Sequence, residues 1–300
     1  MDCLSGAAMA VSDELVDSIY GVVNLFLAGK CPMGLGEYGA NAPLTPLVKP
    51  GGGIRPIADG TVWRCLVLKV GAVMVGPSLG SYFDGLQFGV GVSAGGEAIL
   101  YAVIRLIEDR GSDVGLSLLL YYGEHTLWSS QGVQQGDPLG PLLFALVLQP
   151  LVCKIRDAFD VCLQAWYLDD GTIIGDTLVV GKVLQLIMED GPCLGLHLNV
   201  EKTEVFWPTE DPRSRLVGVF PPDIARPLHG VKLLGGPTSS DPVFSGELMM
   251  QRVIKTIGLM DKVSQLDDPH CELLLLRACT GVSKLYFALR NCPPGIFEAA

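Results

Sequence analysis

Apolar residues recur at helical spacing along several stretches of the chain. Residues 12–28 carry them on one face, with acids in the first turn and Gly29 just past the end, which predicts a helix. The same pattern predicts four further helical stretches, the last of them broken near Asp267. They cover Gly95–Arg110, residues 138–159, Thr177–Asp190 and most of residues 246–290.

Shorter apolar runs predict strands. Residues 116–122 have the pattern of a buried strand, and residues 163–168 and 172–174 that of a hairpin around a short turn. Two more short strands are predicted at residues 196–199 and 205–207. Residues 31–60 are rich in Gly and Pro, so they are predicted to form a loop with short extended pieces.

Charge limits the possible partners. The 300-residue chain is 49% hydrophobic and 18% charged, which is a globular composition. Its net charge of −11 has the wrong sign for a free-standing nucleic-acid binder, because Lys and Arg supply most of that affinity. A nucleic-acid role therefore needs a basic patch or a larger parent protein. The densest positive stretch contains Lys49, Arg55, Arg64 and Lys69 against a single acid.

Zinc ligands and export signals are not evident. Nine cysteines lie far apart without a C-x-x-C pair, and the four histidines lack ligand spacing, so we expect reduced thiols and no zinc. No basic residue precedes Lys30, unlike in a secretory signal. The uncharged run at residues 138–153 is interrupted by prolines and falls short of the ~20 residues of a membrane span. We therefore expect an intracellular protein, nuclear or cytoplasmic, with no membrane partner.

Two adjacent acids carry the most specific chemistry. Asp169 and Asp170 occupy a predicted turn between apolar runs, an arrangement suited to holding a divalent metal beside a phosphate. An ordinary hairpin turn also favours Asp followed by Gly171, so the pair alone is compatible with both interpretations. Upstream, Gln135 and Gly136 open an apolar helix, where a backbone can pass close to a nucleotide.

The order of these motifs resembles that of reverse transcriptases, especially those of non-LTR retrotransposons, and the resemblance covers about residues 47–294. The similar segments are residues 49–57 (fingers motif), 132–146 (motif B), 167–170 (motif C, Tyr-x-Asp-Asp), 195–204 (motif D) and, more weakly, 233–236 (motif E). The resemblance implies an α+β fold of right-hand polymerase type with fingers, palm and thumb.

The resemblance also implies a division of the chain. Residues 1–46 would be a helical N-terminal extension, 47–110 fingers-like, 111–237 palm-like with motifs B to E, and 238–300 a helical thumb. We expect the antiparallel sheet of the palm to be incomplete and the fold to be poorly stable.

Each motif implies roles for particular residues. Asp169 and Asp170 would bind catalytic Mg²⁺ in a two-metal site, and Lys202 would donate a proton near the leaving pyrophosphate. Contacts with the RNA template, the DNA primer or the incoming dNTP are implied for Lys49, Arg55, Gln135, Gly136 and Tyr167. The alternatives are a solvated loop charge for Arg55 and a surface lysine for Lys202.

One acid that the resemblance requires is missing. Motif A should supply an Asp at the end of the first palm strand, whose start residues 116–120 resemble. Residues 121–125 instead resemble the segment just before motif B. The interval from Leu120 to Gln135 is too short for a strand end, a crossover helix and a return strand, which need ~30 residues. We therefore infer an internal deletion near Leu120–Tyr121.

By resemblance the chain is an RNA-directed DNA polymerase domain, and because of the inferred deletion we expect it to be catalytically defective. The alternative is a non-catalytic nucleic-acid-binding relic or a domesticated protein that keeps the basic fingers. A soluble α/β domain with chance motifs is a third hypothesis, which requires four ordered motifs to be accidental.

Overall fold

The computed structural model describes residues 8–40, 42–48, 54–124, 136–277 and 283–292. The chain divides into two compact units. The first contains the described residues up to Asp84 together with Gly136–Val147, and the second contains Gly85–Glu124 and the described residues from Leu148 onward.

The helices and strands are as follows in chain order: α1 (Ala8–Leu27), α2 (Met33–Ala40), β1 (Leu44–Val48), β2 (Ile54–Ala58), α3 (Val62–Phe83), α4 (Gly95–Arg110), β3 (Leu116–Glu124), α5 (Gly140–Ala158), β4 (Leu163–Tyr167), β5 (Asp170–Asp176), α6 (Thr177–Asp190), β6 (His197–Leu198), β7 (Glu204–Phe206), β8 (Val231–Leu233), β9 (Gly236–Thr238), α7 (Pro242–Val263), α8 (Pro269–Leu275) and α9 (Ser283–Asn291).

The first unit is a small helical assembly with one hairpin. β1 and β2 pair antiparallel, with Leu44 opposite Ala58 and Val48 opposite Ile54. α1 and α2 both pack against α3. The side chain of Thr61 caps the start of α3 by accepting a hydrogen bond from the backbone N–H of Arg64.

The second unit is built on a five-stranded antiparallel sheet. Its strand order is β4-β5-β3-β6, and β7 also pairs with β3. β3 is therefore the central strand, and it pairs with β5 from Leu116 opposite Asp176 to Tyr122 opposite Asp170. β8 and β9 form a separate hairpin.

One face of the sheet is covered by α4 and the β8–β9 hairpin. Leu118 and Leu120 of β3 share a buried cluster with Ile99 and Val103 of α4. Leu119 lies between them and points to the opposite face, because side chains alternate along a strand. α6 also packs on β3 and β5. The central strand is thus buried on both faces, which explains its run of leucines.

Most predicted elements of the second unit are confirmed. α4 and α6 have the predicted bounds, and the predicted strand at residues 116–122 corresponds to β3, two residues longer. The helical C-terminal region breaks as expected at Asp267, which has a φ of 52°, and Asp268 caps α8.

Two helices of the first unit were not predicted. α2 lies in the stretch predicted to be a loop, and that prediction is wrong for residues 33–40. α3 spans 22 residues without a clear polar face, so it lacks the amphipathic pattern by which a surface helix is recognised.

α3 also has the length and apolar composition of a membrane-spanning helix, the one such helix among the described residues. Core helices of soluble proteins meet the same test, although only Val67 and Phe83 of α3 are buried here. The expectation that the chain has no membrane partner therefore stays a prediction.

Candidate metal centre

The two adjacent acids lie where β4 turns into β5. Tyr167 ends β4 opposite Asp170, which begins β5, and Leu168 and Asp169 form the tight turn between them. Leu168 has a φ of 57°, a left-handed conformation that non-glycine residues seldom adopt. The predicted hairpin is therefore present, and it places the two carboxylates in succession at one end of the sheet.

A buried tryptophan fixes the residue that follows the acids. Trp166 is fully buried, and its ring lies against the backbone of Gly171. A Cβ at residue 171 would come within 2.5 Å of Trp166 Cζ3, so only glycine fits there. The Asp-Asp-Gly sequence thus has a steric reason in addition to the turn preference noted in the sequence.

The electrostatics of the turn follow from partial burial of two like charges. Burial, and after it the charge of Asp169, raises the pKa of Asp170 to about 6. The same two causes raise the pKa of Tyr121 to about 12, again with burial as the larger. Asp169 therefore lies close enough to influence both groups. Without a cation, the pair favours a protonated Asp170 at slightly acidic pH.

The neighbouring strand brings an aromatic residue to this turn. Tyr121 of β3 lies opposite Gly171 and is 2% exposed. No acid stands among residues 116–121 of β3, and the side chain of Glu124 lies outside the described part. Glu204 of β7 lies opposite Leu120, hence on the other face of the sheet from Tyr121. Burial raises the pKa of Glu204.

These residues do not fit a two-ion site. Among the described residues, no group of three or more His, Cys, Asp and Glu side chains could hold a metal ion. Mg²⁺ can bind through one or two carboxylates plus substrate phosphates. Asp169 and Asp170 could supply the carboxylates for one ion. A second ion needs a carboxylate from the adjacent strand, where Tyr121 stands instead.

Lys202 lies in the turn between β6 and β7, and its side chain is exposed. The turn is held by buried Asn199, whose backbone and side-chain oxygens accept hydrogen bonds from the Lys202 N–H at 3.3 and 3.1 Å. Both strands pair with β3, the neighbour of β5. Lys202 thus belongs to the same sheet as the acids.

Apart from Tyr167, which ends β4 in the second unit, the nucleotide-contacting residues implied by the resemblance fall in the first unit or outside the described residues. Arg55 is in β2 opposite Leu47, and nothing of its side chain is described. Lys49 and Gln135 lie outside the described residues. Gly136 is exposed and has a φ of 98°, which glycine adopts readily.

An ion pair fixes the turn that follows Gly136. Asp137 Oδ2 accepts a hydrogen bond from Arg64 Nη2 at 2.7 Å, with side-chain exposures of 14% and 18%. Asp137 Oδ1 also accepts from the backbone N–H of Leu139 at 2.9 Å, next to the first residue of α5. The sequence shows Arg64 only as part of the densest positive stretch; in the structure its guanidinium pairs with Asp137, just before α5.

Sequence reasoning missed one residue at the candidate centre. Gln87 accepts a hydrogen bond from the backbone N–H of Leu168, inside the turn. A lone Gln in a loop before α4 gives no signal by composition or periodicity. Its role is visible only because the fold brings residues 86–89 against β4.

Comparisons with known proteins agree with this architecture. Residues 116–236 match the family described as reverse transcriptase (RNA-dependent DNA polymerase). The chain is also 26% identical over 248 residues to the retrotransposable element SLACS 132 kDa protein of Trypanosoma brucei gambiense, a match that takes in 68% of this chain and 21% of that protein. The chain spans about a fifth of the length of this relative. Sequence, fold and comparisons together support a reverse-transcriptase domain of the non-LTR retrotransposon type at residues 116–236.

Proposed function

We propose that this chain derives from an RNA-directed DNA polymerase, a nucleotidyltransferase, and is catalytically defective as written because its motif A carboxylate is missing. The observation that supports this most strongly is the register of β3 and β5. Tyr121, which directly follows the leucine run, lies opposite Gly171 and beside Asp169. An Asp at this place in an intact domain would face the motif C acids.

The lengths in the comparison support an internal deletion. The match with the trypanosome protein extends over 248 residues but takes in only 68% of this 300-residue chain. That share of the chain contains fewer than 248 residues. The matched stretch is thus longer in the relative than here. The spacing of the motifs locates the proposed shortfall between Leu120 and Gln135, and β3 runs through the proposed junction without a break. The deletion would then remove the acid and the crossover while leaving a central strand.

The remaining site residues keep the roles that the family implies, as part of the same proposal. Asp169 and Asp170 would hold divalent metal, Mg²⁺ in the cell, and Lys202 would lie near the pyrophosphate. Contacts with the RNA template, DNA primer and dNTP are proposed for Lys49, Arg55, Gln135, Gly136 and Tyr167. The division into an N-terminal extension, fingers, palm and thumb, and an intracellular location, belong to this proposal too.

Templated primer extension tests the proposal. The purified chain is given an RNA template, an annealed DNA primer and four dNTPs, with Mg²⁺ and separately with Mn²⁺. We expect no extension above the level of the Asp169→Ala variant. Extension by the wild-type chain that Asp169→Ala abolishes would contradict the proposed defect while supporting the family assignment.

The origin of the deletion is tested by sequencing the genomic locus and its transcript across the codons for Asp113 to Gln135. We expect an intact relative of this locus to encode an Asp directly after the leucine-rich strand. A continuous reading frame without that segment identifies a remnant, and an intervening segment identifies a truncated form of a working polymerase.

The alternative function, that of a non-catalytic nucleic-acid-binding relic, is tested by a binding assay and not by an activity assay. Salt-dependent binding to an RNA–DNA hybrid without extension would favour it, because phosphate contacts weaken as salt rises. The pairing of Arg64 with Asp137 leaves one cation fewer for such a surface. We therefore rank this function second.

A further inference from the structure

We propose that Gln87 is a positioning residue for the Asp169–Asp170 turn. It belongs to residues 86–89, here named the clasp, which lie just before α4 in the second unit. The inference deepens the proposed function, since it concerns the turn that carries the candidate metal-binding acids. Its evidence is a set of hydrogen bonds that requires neither metal nor substrate.

The clasp is attached to the last part of β4 by backbone hydrogen bonds. The N–H of Trp166 donates to the carbonyl of Leu86 at 2.8 Å, and the N–H of Phe88 donates to the carbonyl of Trp166 at 2.7 Å. Gln87 and Trp166 thereby form a parallel bridge on the outer edge of the sheet. This edge strand ends where the turn begins.

From this position the side chain of Gln87 reaches into the turn. Its Oε1 accepts hydrogen bonds from the N–H of Leu168 and the N–H of Gly89, each at 2.9 Å. Gln87 is 2% exposed, so water does not compete for these bonds. Both partners are backbone donors, which identifies the oxygen end of the amide as the one that faces them.

Leu168 is the residue that needs this support. Its φ of 57° is unfavourable for a residue with a Cβ, and the left-handed conformation sets the direction in which the chain enters Asp169. A hydrogen bond from its N–H to a buried acceptor stabilises that conformation against relaxation. The two carboxylates therefore depend on Gln87 for their place at the end of the sheet.

Close packing on the other side of the clasp acts in the same direction. A Cβ at Gly89 would lie 2.7 Å from Leu168 Cγ and 2.8 Å from its backbone N. The clasp thus packs closely against Leu168 on this side and restricts its backbone there. Gly89 and Gln87 thus both hold the backbone of Leu168 in its observed conformation.

The chemistry of the side chain explains why a glutamine suits this position. A neutral amide oxygen can accept both N–H bonds without adding charge. A carboxylate could accept them too, but it would place a third negative charge near Asp169 and Asp170. Methionine has a similar length and no comparable acceptor, so the N–H of Leu168 would be left buried without its partner.

Amide hydrogen exchange by NMR on the metal-free chain tests the inference, with Gln87→Met as the variant and Gln87→Glu as the rescue. We expect Gln87→Met to speed exchange at Leu168 and Gly89 by about tenfold or more, with little change at Trp166, which donates to a backbone carbonyl. Gln87→Glu retains the acceptor and should restore protection at Leu168. Unchanged exchange at Leu168, or equal acceleration at Trp166 and Leu168, would overturn the inference.

A second variant covers the case in which Gln87→Met does not fold. Leu168→Gly removes the cost of the left-handed backbone, so the double variant with Gln87→Met should fold and retain its turn. If Leu168→Gly gives no relief, Gln87 does not act through Leu168 and the inference fails. Because exchange reports the turn alone, a failure of the proposed polymerase ancestry or metal binding would be seen separately.

Discussion

The ring of Tyr121 meets the ring of Trp166 edge to face, with 5.5 Å between the centroids and 63° between the planes. Such aromatic pairs are favourable, and this one packs across Gly171 of β5, which lies opposite both residues. A well-packed aromatic pair thus stands where the proposed ancestor would have a carboxylate. Under the proposed function, aromatic packing takes the place of a metal ligand there.

Removal of the Asp170 charge should stabilise the metal-free chain in a pH-dependent way. The pKa of this carboxyl is about 6 in the folded chain and near 3.8 without the fold's influence, so folding favours the protonated form. The wild-type chain should therefore lose stability as pH rises from about 4 to above 6. Asp170→Asn should be more stable than wild type at pH 8 by roughly 1–2 kcal/mol, after allowance for solvent screening.

Urea unfolding in the presence of a chelator, at pH 4 and at pH 8, measures this difference. Asp160→Asn, at an exposed residue before β4, serves as the control. A stability gain for Asp170→Asn that is the same at both pH values would show that the carboxylate charge is not its cause.

A methyl group at residue 171 should be costly. The Cβ of Gly171→Ala would lie 2.5 Å from the ring of Trp166, which is fully buried. We expect a loss of roughly 1–3 kcal/mol in the free energy of unfolding. Gly175→Ala in the same strand is the matched control, because its Cβ would meet Val161 at an ordinary 3.5 Å. Equal effects of the two variants would contradict the packing described here.

The Arg64–Asp137 pair should contribute measurably to the first unit. Both side chains are mostly buried, so removing one leaves the other as a buried charge without its partner. A double-mutant cycle with Arg64→Met and Asp137→Asn should give a coupling free energy of about 1–2 kcal/mol. The exposed pair Arg105–Glu108 is the comparison, and it should give about 0.5 kcal/mol or less. Equal couplings for the two pairs would mean that burial does not strengthen the interaction of Arg64.

The local pattern of the sequence predicts the second unit well and the first unit poorly. α4 and α6 each present one apolar face to the sheet, so their spacing reveals both ends. α3 is apolar nearly all round, which hides its helical period. The hairpin of β4 and β5 could be recognised because a polar Asp-Asp-Gly turn interrupts two apolar runs.

Long-range contacts are what the sequence could not supply. The contact of Gln87 with Leu168 joins residues 81 positions apart, and the pairing of Arg64 with Asp137 joins residues 73 apart. No local preference encodes either contact. That an acid is missing stays a prediction from the spacing of the motifs, and the place of Tyr121 beside Asp169 could be recognised only from the strand register.

Binding of Mn²⁺ by the wild-type chain, by Tyr121→Asp and by Tyr121→Asn tests the central claim most directly. All three are titrated under the same conditions and followed by electron paramagnetic resonance. If a carboxylate is missing from this place, Tyr121→Asp should bind Mn²⁺ about tenfold more tightly than wild type. Tyr121→Asn removes the ring without adding charge and should show no such gain. Binding by the wild-type chain as tight as that of Tyr121→Asp would contradict the account.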